Sequence, residues 1–272
     1  HGAQYRTEGM GQYVEQAPDT QERGTIFFTT KDGQLVAAAV MQTGWRIAID
    51  PALVVDEQGT YAKLNAITVV DKDRFMQSVA RKNDPYEEVA FRVNDDAATK
   101  VRKLKLPGVI VVQDQWRLYP GKDLAAQTLG FVGYKGESKS KVGVYGLEKG
   151  WDSTLSESAT GLYVNPFAEI FTNLESALST DPTSHHGSIV TSIEPSVEAQ
   201  LEKTLDEVMK DYTPKLAGGI IMDPKTGEIY AMGLRPDFDP NTYNLVTNPG
   251  VYSNVLVSGR YELGSIMKPL TM

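Results

Sequence analysis

Two side chains one helical turn apart, Ser265 and Lys268 in Gly264-Ser-Ile-Met-Lys268, form the pairing in this sequence with the most evident chemistry. On a helix, residues three apart share a face, so the lysine amine can be carried toward the serine hydroxyl. A serine hydroxyl is a poor nucleophile until a base takes its proton. Lysine can act as that base only where burial or a neighbouring cation lowers its pKa. The spacing therefore points to acyl transfer through a serine, in a site partly withdrawn from water. A serine at a helix start would also lie near free backbone N–H groups able to steady an oxyanion, although one such donor is not a complete oxyanion hole.

The bare Ser-x-x-Lys pattern has little specificity. Ser138-Lys-Ser-Lys141 matches it equally well, but in a Gly, Ser and Lys-rich stretch that reads as a flexible loop with nothing to bury its lysines. Taken alone, Ser265 reads more readily as a helix cap beside a surface lysine. Composition excludes several other chemistries. With no cysteine there is no disulfide framework, no thiolate zinc site and no thiol nucleophile. The three histidines are His1 and the pair His185 and His186 in the polar run Asp181-Pro-Thr-Ser-His-His-Gly187, which argues against a histidine-centred site. No metal or cofactor is expected. A formal net charge of -8 opposes a general nucleic-acid binder. The one dense basic cluster, Lys100, Arg102, Lys103 and Lys105, is interrupted by Val101 and Leu104 at helical spacing and reads as a solvated helix face. The longest apolar stretch, Leu35 to Met41, is far below the roughly 20 residues that cross a bilayer.

A chain of 272 residues with 41% hydrophobic and 23% charged residues can build two ordinary domains. Residues 1–22 are polar and read as a tether. From Arg23 to Ile49 the pattern is strand-like: Ile26 to Phe28, the turn Lys31-Asp32-Gly33, then Leu35 to Met41 and Trp45 to Ile49. Residues 50–106 read as a small helical insertion, with Phe75 and Val79 on one stripe and Val89, Val93, Ala97, Val101 and Leu104 on another. Leu106 to Val112 gives a short β run, followed by glycine-punctuated turns at Gly130-Phe-Val-Gly133 and Gly143-Val-Tyr-Gly146, and by a hairpin near Leu162 to Ile170. The polar stretch Asn173 to Gly187 reads as a linker.

After the linker, Ile189 to Ile193 reads as an edge strand, and Glu194-Pro-Ser196 opens a helix to about Tyr212. Its spacing puts Val197, Leu201, Leu205 and Val208 on the buried face. Gly218 to Met222 and Glu228 to Met232 form two strands joined by Asp223-Pro-Lys-Thr-Gly227. A helix, an antiparallel hairpin, an Asn and Pro-rich loop and the Gly264-Ser265 junction together predict an α+β domain with a nucleophile at a helix start.

Here the sequence resembles a known family. Tyr261-Glu-Leu-Gly-Ser-Ile-Met-Lys-Pro-Leu-Thr271 is similar to the acylation motif of penicillin-binding transpeptidases. Arg23-Gly-Thr-Ile26 with Asp32-Gly33 and Leu35 resembles the N-terminal signature of the class B branch. Leu106-Pro-Gly-Val109, Arg117-Leu-Tyr-Pro120, Gly130-Phe-Val-Gly133 and Tyr145-Gly-Leu-Glu148 resemble successive segments of its non-catalytic pedestal. Gly218 to Met232 and Pro236-Asp-Phe-Asp-Pro-Asn241 resemble the first strands and following loop of the transpeptidase domain. Each segment alone has a plain structural reading, with glycines for turns and Arg23 or Glu148 for a local ion pair. Their order along the chain carries the resemblance. Leu263 departs from it, since the family usually has proline there.

The resemblance implies a tether over 1–22 behind a membrane anchor, an elongated mixed pedestal over 23–185 and the start of an α+β transpeptidase domain over 186–272. It implies peptidoglycan cross-linking on the extracytoplasmic face of the membrane. Ser265 would attack the D-Ala-D-Ala carbonyl of a stem peptide, Lys268 would accept its proton, and β-lactams would mimic the donor. The family's later Ser-x-Asn and Lys-Thr-Gly-like elements do not follow before Met272, so the 272-residue chain alone is expected to be inactive. Two alternatives stay open: a pedestal that docks a glycan polymerase or scaffold protein of wall synthesis, and a serine protein that hydrolyses or senses β-lactams.

Overall fold

A computed structural model describes residues 23–134, 141–156 and 187–271, apart from Tyr261 and Leu263. The expected tether, the hairpin near 162–170, most of the linker, His185 and His186, and Ser138 lie outside the described residues. Those that are described form two compact units, 41–116 and 23–40 with 117–271.

The first unit is built on the second part of β2 (Leu35–Ile49), with β3 (Glu87–Val93) and most of β4 (Val109–Leu118) both paired to that strand. The β2–β3 ladder is antiparallel and sets Trp45 against Val93, Ile47 against Ala90 and Ile49 against Glu87. Helices α1 (Glu57–Asn65), α2 (Lys72–Ala80) and α3 (Asp95–Lys103) complete it. Each starts on a residue whose side-chain oxygen accepts an otherwise unpaired first-turn N–H: Asp56 from Gly59, Asp71 from Arg74 and Asn94 from Ala97. The core gathers Ile47, Ile49, Leu64, Phe75, Val79, Val89 and Val101, all buried. Phe75 and Val79 lie on the helical stripe that their spacing predicts.

The expected helical insertion is only partly helical. Val89 and Val93 belong to strand β3, not to the stripe that continues through Ala97 and Val101. The reason is a bulge: Arg92 sits at φ 54, where the β2–β3 register shifts, and simple alternation is lost. Val89, Ala90 and Val93 are left buried, which imitates a helical spacing. In α3 the basic cluster does flank the buried Val101, and Arg102 stacks over Trp45 with its guanidinium carbon 3.9 Å from the ring centre.

In the second unit, β1 (Ile26–Thr29) and the first part of β2 form the hairpin that the Asp32-Gly33 turn predicts, with Gly33 at φ 78. The stretch from Leu35 through Ile49, read as two runs, is one strand. β7 (Ile189–Val190) adds to the outer side of β1 in parallel. Short helices α4 (Ala126–Leu129), α5 (Gly146–Gly150) and α6 (Asp152–Leu155) surround the hairpin of β5 (Val132–Tyr134) and β6 (Lys141–Gly143). Gly130 closes α4 at φ 72 and ψ -154, backbone open in practice only to glycine. A Cβ there would stand 1.9 Å from the Tyr145 carbonyl oxygen.

Segments far apart in sequence meet at Glu148, whose exposure is 0%. Its Oε2 accepts Arg23 Nε at 2.6 Å, and its Oε1 accepts Arg117 Nε at 2.7 Å and the Tyr119 hydroxyl at 3.2 Å. Arg23 also donates to Asp152 Oδ1 at 2.8 Å and to the Glu148 carbonyl, while Arg117 donates to the Gly24 carbonyl. Two guanidinium groups thus face two carboxylates, and the charges balance. Burial, reinforced by the Glu148 charge, pushes the Tyr119 phenol well above its usual range, so it stays a donor.

An apolar lock lies beside this network. Phe131 stacks on Tyr243 at 4.2 Å and meets Tyr252 edge-on at 4.9 Å, and the Tyr252 hydroxyl donates to the Tyr243 carbonyl. Asn241 grips the backbone of Tyr119 twice, accepting from its N–H at 3.0 Å and donating to its carbonyl at 2.9 Å. The segment 236–252 is thereby fixed to residues 117–131.

Gly130→Ala is expected to cost about 3 kcal/mol or more, since strain and a backbone clash act together, and Phe75→Ala about 3–5 kcal/mol through a core cavity. Denaturant midpoints of the two variants check both figures.

Candidate functional site

The segment that carries Ser265 begins at a two-layer element of helix and hairpin. Helix α7 (Pro195–Tyr212) has proline in its first turn and Glu194 as its cap, accepting Val197 N at 2.7 Å. Strands β8 (Ala217–Met222) and β9 (Ile229–Arg235) pair antiparallel, with Met222 opposite Ile229 across the Asp223 to Gly227 turn. The helix packs on this hairpin, and Leu201 lies against bare Gly219. Two 3-10 turns, Pro240–Leu245 and Pro249–Tyr252, then lead to the single turn α8 (Val255–Ser258), whose Leu256 lies against Gly218.

The chain then reaches a 3-10 turn, Gly264–Met267, and a final helical turn, α9 (Lys268–Thr271). Gly264 enters at φ 55 with open space where a Cβ would stand. Ser265 is the second residue of the first turn and Lys268 the first of the next. Both side chains are exposed. The described residues around them do not supply the desolvation that a lysine base requires.

A marked perturbation of charge lies at the seam between α7 and β9, at residues the sequence reading passed over. The face expected to be buried was Val197, Leu201, Leu205 and Val208. Leu205 is buried, but the other deeply placed residues are Glu198 at 0% exposure and Glu202 at 6%, while Val197, Leu201 and Val208 are half-buried. The helix is turned by about one position, because the hairpin offers polar partners there. Glu198 Oε2 accepts Met232 N at 2.7 Å, and Glu202 Oε1 accepts Ala125 N at 2.8 Å.

Arg235, at the end of β9, is 6% exposed and donates to Asp206 at 2.5 Å, pairs with Asp237 at 3.0 Å, and reaches Glu202 at 3.4 Å. Burial raises Glu198, and it pushes Glu202 up to about 7 against the pull of Arg235. Asp206, largely exposed, is held below the usual range by its hydrogen bond to Arg235. A signal for this seam was present in the sequence: glutamates at i and i+4 bordering an apolar stripe, with an arginine ending the next long strand.

No group of His, Cys, Asp and Glu able to hold a metal ion occurs among the described residues. No helix among them is long and apolar enough to cross a membrane.

Comparison with known proteins agrees with this architecture. Residues 18–177, more than half of the chain, match the penicillin-binding protein dimerisation domain, and residues 217–272 match the penicillin-binding protein transpeptidase domain. Stage V sporulation protein D of Bacillus subtilis is 27% identical over 258 residues, which cover 94% of this chain and 38% of that protein. Peptidoglycan D,D-transpeptidase FtsI of Escherichia coli K12 is 27% identical over 260 residues, covering 92% of this chain and 42% of the relative. The chain therefore spans about two fifths of the length of these relatives. In fold it is similar to penicillin-binding protein 2X of Streptococcus thermophilus, with a TM-score of 0.52 and 18% identity over 84% of this chain and 36% of that one. A pedestal-type segment followed by the opening elements of a transpeptidase domain, both matched to one family in the right order, makes this chain a member of the penicillin-binding proteins.

Proposed function

We propose that this protein cross-links peptidoglycan as a D,D-transpeptidase. Ser265 attacks the D-Ala-D-Ala carbonyl of a stem peptide, and its proton passes to Lys268. The tetrahedral intermediate collapses to an acyl-enzyme with loss of D-alanine, and the amine of a neighbouring peptide attacks that ester to complete the cross-link. The observation that carries the reading is the Ser265-x-x-Lys268 turn itself, three residues apart on consecutive single turns, within the region matched to the transpeptidase family.

Exposure of both side chains makes a demand on the mechanism. A lysine in water stays protonated at neutral pH and cannot act as a base. In the proposal, further parts of a transpeptidase domain of the relatives' length close over this turn and bring donors for the oxyanion. A wall-synthesis role also implies an extracytoplasmic site of action and β-lactams as covalent inhibitors. We place the domain boundary near residues 185 and 186, between the two family matches, with 1–22 as tether, 23–185 as pedestal and 186–272 as transpeptidase. The pedestal would also dock a glycan polymerase or scaffold protein of wall synthesis.

Full-length protein treated with fluorescent penicillin is expected to become covalently labelled, to lose labelling altogether as Ser265→Ala, and to acylate about 100-fold or more slowly as Lys268→Ala. Labelling that persists in Ser265→Ala would refute the nucleophile.

A further inference from the structure

Helix α7 places the carboxyls of Glu198 and Glu202 one turn apart, and each serves as a bracket. Glu198 takes the N–H of Met232 in β9, and Glu202 takes the N–H of Ala125, just ahead of α4. Through these two bonds the helix ties the hairpin of the transpeptidase-like segment to the turn that follows Pro120. The brackets leave one atom unexplained. Glu198 Oε1 is buried and accepts no N–H or O–H, and the buried Glu202 side chain stands one helical turn away, against the same Gly233 of β9. Two carboxylates cannot bond to each other; a carboxylic acid and a carboxylate can.

The surroundings make full ionisation costly. Four carboxyls gather at this seam: Glu198, Glu202 and Asp206 from α7, and Asp237 from the segment after β9. Asp123, ahead of the Ala125 turn, adds its negative field at Asp237. Among the described residues Arg235 is the one cation facing the pair, and it is shared between Glu202, Asp206 and Asp237. From the other packed elements, the N–H groups of Met232 and Ala125 face the pair. Gly233, whose Cβ would stand 3.5 Å from Glu198 Oε1 and 3.2 Å from Glu202 Cγ, lets helix and strand close tightly over it.

We propose that Glu198 and Glu202 share a single proton, and that this proton latches α7 to β9 and to the Ala125 turn.

On deprotonation the proton passes to solvent and two buried carboxylates remain, with one backbone N–H each and one guanidinium, which reaches Glu202 Oε2 at 3.4 Å. The sign follows from the direction of the shift. A glutamate raised in the folded state contributes stability that is fully present below the unfolded value near 4.5 and is lost as pH rises through the folded value of about 7. The effect amounts to up to about tenfold in the folding equilibrium constant per pH unit, and on the order of 100-fold over the interval.

The test is denaturant unfolding of the full chain between about pH 5 and pH 8, alongside Glu198→Gln, whose amide replaces the shared proton with a permanent N–H. The wild-type constant is expected to fall on the order of 100-fold, while that of Glu198→Gln varies by no more than about threefold. A variant with the wild-type slope would overturn the latch. Should the variant fail to fold, the carboxyl carbon resonances of wild-type chain labelled with ¹³C-glutamate decide the matter, free of any signal from Asp237. One glutamate titrating above about pH 6 supports the shared proton, and all glutamates titrating in the ordinary range overturn it.

Discussion

A carboxylate with no exposure to water persists in a folded protein only when cations and donors replace its hydration. Glu148 meets that condition with Arg23, Arg117 and Tyr119, and the need to surround it draws three separate stretches of chain to one point. Arg23 fixes the entry into β1, Arg117 the exit from β4, and Tyr119 the β5 strand through its hydroxyl, which accepts Val132 N. Asp152 closes the circle by accepting from Arg23 and from Gly143 in β6. What the family resemblance reads as separate signatures is, in three dimensions, largely one electrostatic junction. Asn241 then transmits its position to the next segment by holding Tyr119 on both backbone groups.

The second junction, between α7 and β9, has the opposite character. At Glu148 two arginines meet two acids; at Arg235 a single arginine meets three, Glu202, Asp206 and Asp237. A balanced network matches each acid with a cation, whereas an acid-rich one must hold protons or pay in stability. This difference makes the first suited to a permanent scaffold and the second to a seam whose tightness depends on its surroundings. The seam lies in the part of the chain that leads to Ser265, and the scaffold lies in the part that supports it.

Much of this was legible in the sequence where local chemistry decides the outcome. The Asp32-Gly33 turn, proline at the start of α7, and the Pro and Gly turn between β8 and β9 each specify backbone geometry within a few residues. Legibility failed where a distant partner decides. The bulge at Arg92 leaves β3 with a burial pattern that copies a helix, and only its pairing with β2 reveals a strand. Glu198 and Glu202 look like solvated helix residues until Met232 and Ala125 arrive to receive them. The spacing of Ser265 and Lys268 is retained on consecutive turns, but their exposure could not be read from a motif that says nothing about its cover.

The central claim is that the pedestal-type fold hangs on one buried side chain, the Glu148 carboxyl gripped by Arg23 and Arg117. Equilibrium unfolding of Glu148→Gln is the most direct measurement of it. An amide of the same shape turns one acceptor oxygen into a donor facing a guanidinium, and the account predicts a loss of about 3–5 kcal/mol. Stability within about 0.5 kcal/mol of wild type, the ordinary range for a surface change, would contradict it.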